Sequence, residues 1–530
     1  MERRHMVSGP HSACHRPAAD APRRTAVAPS PEKRRRLYDP QKKVRTTPFP
    51  GRFAYIVRTE VTPTPRSYPM PCPFFHSYQR SSLMKQLIRF LVLCLVTGAS
   101  AVTAADKILP YPIHQKQLAN GLNVVTVQFD SPGLAAFYIV VRVGSRNEVE
   151  QGVTGFAHFF EHMMFRGTER YPRDKYNEVL KSIGAGANAN TSLDRTIYHM
   201  TGDATKLETM FDLEADRFQN LRYSEHDFKT EAGAVKGEYT KNFASPYQQS
   251  YENLMNTAFD VHTYKHTTMG FFKDIVDMPN QYTYSLEFFD RYYRPEYTTV
   301  VVVGDVTPQR VNALAEKYFG PWKHGTYVSV VPPEPKQDSA RSTHLSDGSI
   351  PPYLSLNYKG PAFSDNDIDM PALDVLTTIL FSPTSELYKK LVIREQKVRQ
   401  LSGGASDTRD PNLISVSASL VKKEDLQYVK DEIVKAVEAF KTAGADEAML
   451  AKTKSRLKYS FAMGIDNPST IANSLCAYIT LTGDPESLNR LYAMYDTVTN
   501  DDLKRIAAKY FVPSGLTIAT ISADAKGGVQ

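Results

Sequence analysis

Gly155-Phe156-Ala157-His158-Phe159-Phe160-Glu161-His162-Met163-Met164-Phe165-Arg166-Gly167-Thr168 is the stretch on which the reading of this 530-residue chain turns. Phenylalanines and methionines surround three ionisable side chains. On a helix, His158 and His162 stand four residues apart and Glu161 stands three from His158, so all three share one face. Two imidazoles at that spacing can hold one metal ion, and a carboxylate beside them can take a proton from water on that ion. Burying three ionisable groups without a partner is costly, which argues against histidines merely packed in a core.

A third ligand is needed, and Ser224-Glu225-His226-Asp227-Phe228 opens a helix that offers one, with Ser224 as N-cap and acids in the first turn. Glu231 and Glu238 are seven apart, two helical turns, so they lie on one side of it. With the order H-x-x-E-H in place of H-E-x-x-H, the pattern resembles the pitrilysin/insulinase zinc metallopeptidases, which include the mitochondrial processing peptidases. In that family the third zinc ligand is a glutamate at about the distance of Glu238, which lies 76 residues beyond His162. The resemblance implies one zinc ion per chain, held by His158, His162 and Glu238. It makes Glu161 the general base, and Glu231 a catalytic residue that orients a ligand.

The run Asn188-Ala189-Asn190-Thr191-Ser192-Leu193-Asp194-Arg195-Thr196-Ile197-Tyr198 resembles the family's N-A-x-T-x-x-D-x-T-x-Y strand, whose edge pairs with substrate. Asn188, Ala189 and Asn190 are thereby implied as substrate-binding residues, gripping an extended peptide through its main chain. Leu213-Glu214-Ala215-Asp216-Arg217 resembles a structural helix of the family. The likeness runs from about Ile113 to about Asp524.

Beyond these motifs the chain alternates strands and helices, an α+β pattern. Leu122–Phe129, Ala135–Val143 and Thr298–Val303 read as strands, and Asn188–Met200 as one strand. Arg173–Ile183 and Lys206–Gln219 read as helices, and Thr307-Pro308 starts another. The Pro-, Ser- and Asp-rich stretch 326–352 reads as a linker. Beyond it RYYRPEYTTVVVVGD at 291–305 is repeated as KYFVPSGLTIATISA at 509–523, an offset of 218. The expectation is two similar halves, 106–325 holding the metal and 353–530 without it, each an antiparallel-rich sheet packed with helices. At that offset Glu231 and Glu238 fall on Met449 and Arg456, and no second H-x-x-E-H occurs. The resemblance implies that the halves close as a clamshell chamber.

Catalytically complete single chains of the family carry an Arg and a Tyr seven apart in the second half. Arg394 fits the arginine and is read as catalytic, whereas the tyrosine position holds Leu401. This departure suggests a zinc-free partner subunit. The partners expected are therefore a peptide or unfolded polypeptide substrate, together with a second subunit, either in a homodimer or in a heterodimer with a zinc-free homologue.

Composition bounds the rest. The formal charge of +7 is concentrated at one end: residues 1–83 hold 16 Lys/Arg against 5 Asp/Glu, and Lys85 and Arg89 add two, leaving −6 for 106–530. A nucleic-acid reading thus has no support outside a Pro- and Arg-rich extension of disordered composition. Met84 to Ala105 has a basic start, an apolar run Phe90–Val96 and a small-residue tract, the three regions of an export signal. That run is too short for a stable membrane span. Cleavage near Ala104 or Ala105, with Met84 as the true start, would give a periplasmic or secreted protein. Only Cys476 would remain, so neither an intramolecular disulfide nor a cysteine zinc site is expected.

These signs converge on a zinc metalloendopeptidase in which Glu161 assists attack of water on a peptide bond. The alternatives are a heterodimer subunit, a zinc-binding but non-proteolytic family member, a lyase with the same motif on a much shorter chain, and a nucleic-acid binder through residues 1–83.

Overall fold

The computed structural model describes residues 107–526 and 529. The basic extension 1–83 and the segment 84–105 lie outside the described residues. Among those described, no helix is long and apolar enough to cross a membrane.

The first half is built on six strands: β1 (His114–Gln117), β2 (Asn123–Gln128), β3 (Leu134–Val141), β4 (Gly186–Thr191), β5 (Thr196–Asp203) and β6 (Thr298–Gly304). Their order is β1-β2-β6-β3-β5-β4, antiparallel except for the β2–β6 pair. The central strands β3 (LAAFYIVV) and β6 (TTVVVVG) are buried along almost their whole length, the pattern of strands covered on both faces. Around this sheet run α1 (Phe156–Met163), α2 (Arg173–Ser182), α3 (Leu207–Asn220), α4 (Glu225–Phe243), α5 (Pro246–Ala258), α6 (Phe272–Asp277), α7 (Tyr282–Tyr292) and α8 (Pro308–Phe319).

The second half has β7 (Arg341–Ser346), β8 (Tyr353–Lys359), β9 (Val398–Ala405), β10 (Leu413–Leu420) and β11 (Leu516–Ser522) in the order β7-β11-β8-β10-β9. Its helices are α9 (Asp369–Phe381), α10 (Glu386–Tyr388), α11 (Leu426–Ala443), α12 (Glu447–Gly464), α13 (Pro468–Thr482), α14 (Ser487–Thr497) and α15 (Asn500–Tyr510). The repeat read from the sequence is structural. Adding 218 carries β2 onto β7, α7 onto α15 and β6 onto β11, end to end. The β7–β11 pair is parallel, as β2–β6 is. The same offset places Leu376, Ile379 and Leu380 of α9 where α1 carries His158, Glu161 and His162, and all three are buried in the second core. The second half thus keeps the helix and fills its polar face with hydrocarbon.

Two expectations need correction. The stretch read as a linker, 326–352, contains β7, so the second half begins with that strand and not at 353. β7 reads RSTHLS, nearly free of apolar residues. It is a half-exposed edge strand held by main-chain bonds to β11, and hydrophobic patterning cannot find such a strand. Asn188–Met200 is likewise two strands, with a tight turn at 192–195 closed by Ser192 N–H donating to Arg195 O at 2.8 Å. That turn has no glycine or proline. The buried Asp194 carboxylate stabilises it from a distance, accepting from the Tyr264 hydroxyl at 2.8 Å and the Arg409 N–H at 2.9 Å.

Each half lends a helix to the other. The apolar face of α13, with Ile471, Leu475 and Ile479, packs on Val125, Val301 and Ile197 of the first sheet. Reciprocally, Leu254, Met255 and Ala258 of α5 pack with Leu413 and Ala519 of the second. The two sheets are therefore joined through apolar cores as well as through the connecting chain.

Candidate metal centre and active site

Helix α1 starts at Gly155, whose φ of +91° and close approach to Ile275 exclude other residues: a Cβ there would stand 2.4 Å from Ile275 Cδ1. Glycine has no side chain to cap the helix. Glu148, seven residues earlier, supplies the cap: its fully buried carboxylate accepts the Gly155 and Ala157 N–H groups, both at 2.7 Å. Burial pushes Glu148 up to about 8, against these donors. Helix α4 begins with the expected Ser224 cap, closed reciprocally by Asp227.

The two helices bring His158, His162 and Glu238 together, with one donor atom from each within 4.8 Å of the other two. His162 Nε2 lies 3.3 Å from Glu238 Oε2, and His158 Nε2 lies 3.6 Å from it. Two ligands each about 2.0–2.1 Å from one tetrahedral ion stand roughly 3.3 Å apart, so these separations fit a shared zinc. Electrostatics points the same way. Burial, and then the neighbouring His162 ring, push His158 down to about 4, so at neutral pH it is an uncharged lone-pair donor. A neutral imidazole lone pair and a carboxylate oxygen have no attraction for each other until a cation stands between them.

The remaining polar groups orient this cluster. Glu231, 7 % exposed, accepts from His162 Nδ1 at 2.9 Å and from Arg166 Nε at 2.5 Å. Burial raises Glu231, but these two hydrogen bonds outweigh it and hold the carboxylate below its ordinary value. An ionised carboxylate only accepts, so Nδ1 of His162 carries the proton and Nε2 presents its lone pair toward Glu238. The same bond is the main cause of the upward shift of His162. Glu161 accepts from the Thr191 hydroxyl at 2.6 Å; burial raises it and this bond opposes the rise. Tyr198, the last residue of the 188–198 run, ties β5 to α1 by donating to Phe160 O at 3.0 Å.

Asn188, Ala189 and Asn190 lie on β4, the outermost strand of the first sheet, alternately exposed, buried and exposed. A cavity of about 450 Å³ beside the cluster is lined by Glu161, His162, Phe165, Arg173 and Asn188, among others. Its floor is braced by the Leu213–Arg217 run: the buried Arg217 pairs with Glu214 and lies 4.7 Å over the Phe165 ring. Arg394 is not drawn into the cluster. It is exposed, and its ion partner is Glu386 at 3.6 Å. Leu401 is 3 % exposed in the second half's core, because an extra residue, Arg399, bulges from β9 just before it. Leu401 thus fills the second half's core and is not drawn into the cluster either. Glu148, Thr191 and Arg166 were not legible as site residues; Thr191 and Arg166 stand inside the two motif runs without a role assigned, and nothing in the sequence points to Glu148.

Known proteins fit this geometry. The family described as Insulinase (Peptidase family M16) matches residues 124–270, and the one described as Peptidase M16 inactive domain matches 282–457, which agrees with the apolar α9. The chain is 29 % identical to the zinc protease PqqE of Helicobacter pylori over 436 residues, 81 % of this chain and 96 % of that one. It is 25 % identical to a probable mitochondrial-processing peptidase subunit beta of Arabidopsis thaliana, covering 76 % and 77 % of the two. The solved structure of a protease from Helicobacter pylori superposes with a TM-score of 0.73 at 29 % identity, over 78 % of this chain and 99 % of that one. On sequence, fold and relatives, the chain belongs to peptidase family M16, the insulinase family.

Proposed function

We propose that this protein is a zinc metalloendopeptidase acting on unfolded peptides. The convergence of His158, His162 and Glu238 beside the Thr191-anchored Glu161 carries this reading. Zinc held by these three residues would supply Lewis acidity toward the peptide carbonyl and the attacking water. Thr191 fixes one oxygen of Glu161 and leaves the other to accept the proton of that water. A carboxylate raised by burial is a stronger base than an exposed one, and it can pass the proton on to the leaving amine. Glu231 keeps His162 in its ligating tautomer, with Arg166 holding Glu231 in place. β4 has no partner on its outer edge among the described strands, so an extended substrate can add to it through main-chain hydrogen bonds.

One chain carries both halves, and the metal-free half supplies the wall opposite the zinc helix in a chamber that admits unfolded chains. The signal-like segment 84–105 supports export to the periplasm or beyond; a native N-terminus upstream of Met84 would refute this. The test of the main reading is cleavage of a quenched unstructured peptide after chelation and after return of one equivalent of zinc. Activity should vanish and come back, and a folded protein should resist. Cleavage that persists in the metal-free protein would overturn the reading.

A further inference from the structure

The cavity beside Glu161 and His162 is lined by two glutamates and two arginines, and only one of the arginines is paired. Of its two arginines, Arg166 is committed to Glu231 through both Nε and a terminal guanidinium nitrogen. Arg173, the first residue of α2, is exposed, and among the described residues its guanidinium has no ion-pair, hydrogen-bond or ring partner. The lining of the cavity therefore presents one unpaired cation. The same cavity is lined by Asn188, whose side-chain oxygen is taken by the Ala189 N–H at 2.9 Å, so that its amide N–H groups are left to donate. A cation and an amide donor facing one cleft complement an anion with two acceptor oxygens, the geometry that guanidinium binds best.

Resting on the peptidase reading above, we propose that Arg173 makes this cavity a subsite for a substrate carboxylate, from an acidic side chain or a chain terminus. Glu161, which also lines the cavity, repels such a group, so the carboxylate is held against Arg173 and selects which residue of the peptide lies beside the cleaved bond. Arg173 remains accessible to water, and an exposed ion pair yields up to about a fivefold preference.

The experiment uses the Glu161→Gln protein, which should bind without cleaving, and fluorescence anisotropy of labelled decapeptides. The peptides are amidated and identical except for Glu, Gln or Lys at successive positions; a further arm has Gln throughout and a free C-terminus. We expect the Glu peptide to bind about fivefold tighter than its Gln twin at one position, with Lys weakest. Adding Arg173→Met should level the series, and Arg173→Glu should invert it in favour of Lys. A gain confined to the free-terminus arm assigns the carboxylate to the chain end and still supports the subsite. Equal binding across the series, no binding, or a Glu preference that survives Arg173→Glu overturns the proposal. Should the wild-type protein cleave none of these peptides while the Arg173-dependent preference persists, the peptidase reading fails and the carboxylate subsite stands.

Discussion

Replacing Glu231 with Gln probes how the metal cluster is tuned. Gln keeps the shape and an oxygen that can accept from His162 Nδ1, so the 2.9 Å contact can survive. What is lost is the charge. His162 becomes a weaker donor, because the hydrogen bond from its Nδ1 to an anion is the largest contribution to its raised basicity. At the same time Arg166, now unneutralised, places a positive charge one residue away from the site of a dication. Removing a carboxylate that supports a ligating histidine costs about 10- to 100-fold in metal affinity, or about 1.4–2.8 kcal/mol at 1.4 kcal/mol per tenfold. Competition with a fluorescent zinc chelator at neutral pH would measure it. The Glu231→Gln protein should bind zinc 10- to 100-fold more weakly, and adding Arg166→Gln should recover part of the loss by removing the stranded cation. Zinc affinity within twofold of wild type in Glu231→Gln, or a further loss in the double variant, would refute this reasoning.

Other substitutions address the scaffold. Glu148→Ala leaves two buried N–H groups at the start of α1 without an acceptor, at about 1–3 kcal/mol each; thermal melting should drop sharply and zinc occupancy with it, and a melt within about 1 kcal/mol of wild type would contradict the capping role. Asp410, from the loop between β9 and β10, accepts from His262 at 2.8 Å and Arg146 at 2.5 Å in the first half. Burial raises its carboxyl, but these bonds hold it well below the usual range. Its folded value is thus below its unfolded one, so its contribution is complete above about pH 4 and drains away as pH falls further. Asp410→Asn should cost about 2 kcal/mol at pH 7, and the gap to wild type should narrow toward pH 2 in a melting series. Leu475→Ala should cost about 2–5 kcal/mol, and because Leu475 packs on the first sheet, the loss should appear as faster amide exchange in β6; a change confined to the second half would contradict the exchanged-helix packing.

The metal cluster was legible because its chemistry is local in sequence: H-x-x-E-H on one helical face, and two glutamates two turns apart on another. The two-half fold was legible through the 218-residue repeat, whose apolar strand β6 and its copy β11 carry the signal. What escaped was held by contacts distant in the chain. The polar edge strand β7 takes its conformation from β11, and the turn at 192–195 is pinned by the buried Asp194. The burial of Leu401 was not legible either, because one bulged residue in β9 changes which side chains face the core. The Glu148 cap is invisible for a related reason: a helix starting at glycine borrows its acceptor from a loop seven residues upstream.

The most direct measurement is made on Glu161→Gln. Gln keeps the size of the side chain and its place beside Thr191 but cannot accept the water proton, and it touches none of the three metal donors' positions on α1 and α4. Zinc content by mass spectrometry and hydrolysis of a quenched unstructured peptide would be read on the same sample. The expected result is one zinc per chain with turnover reduced at least about a hundredfold. Turnover near the wild-type rate with zinc bound would contradict the assignment of Glu161 as the base and, with it, the proposed mechanism.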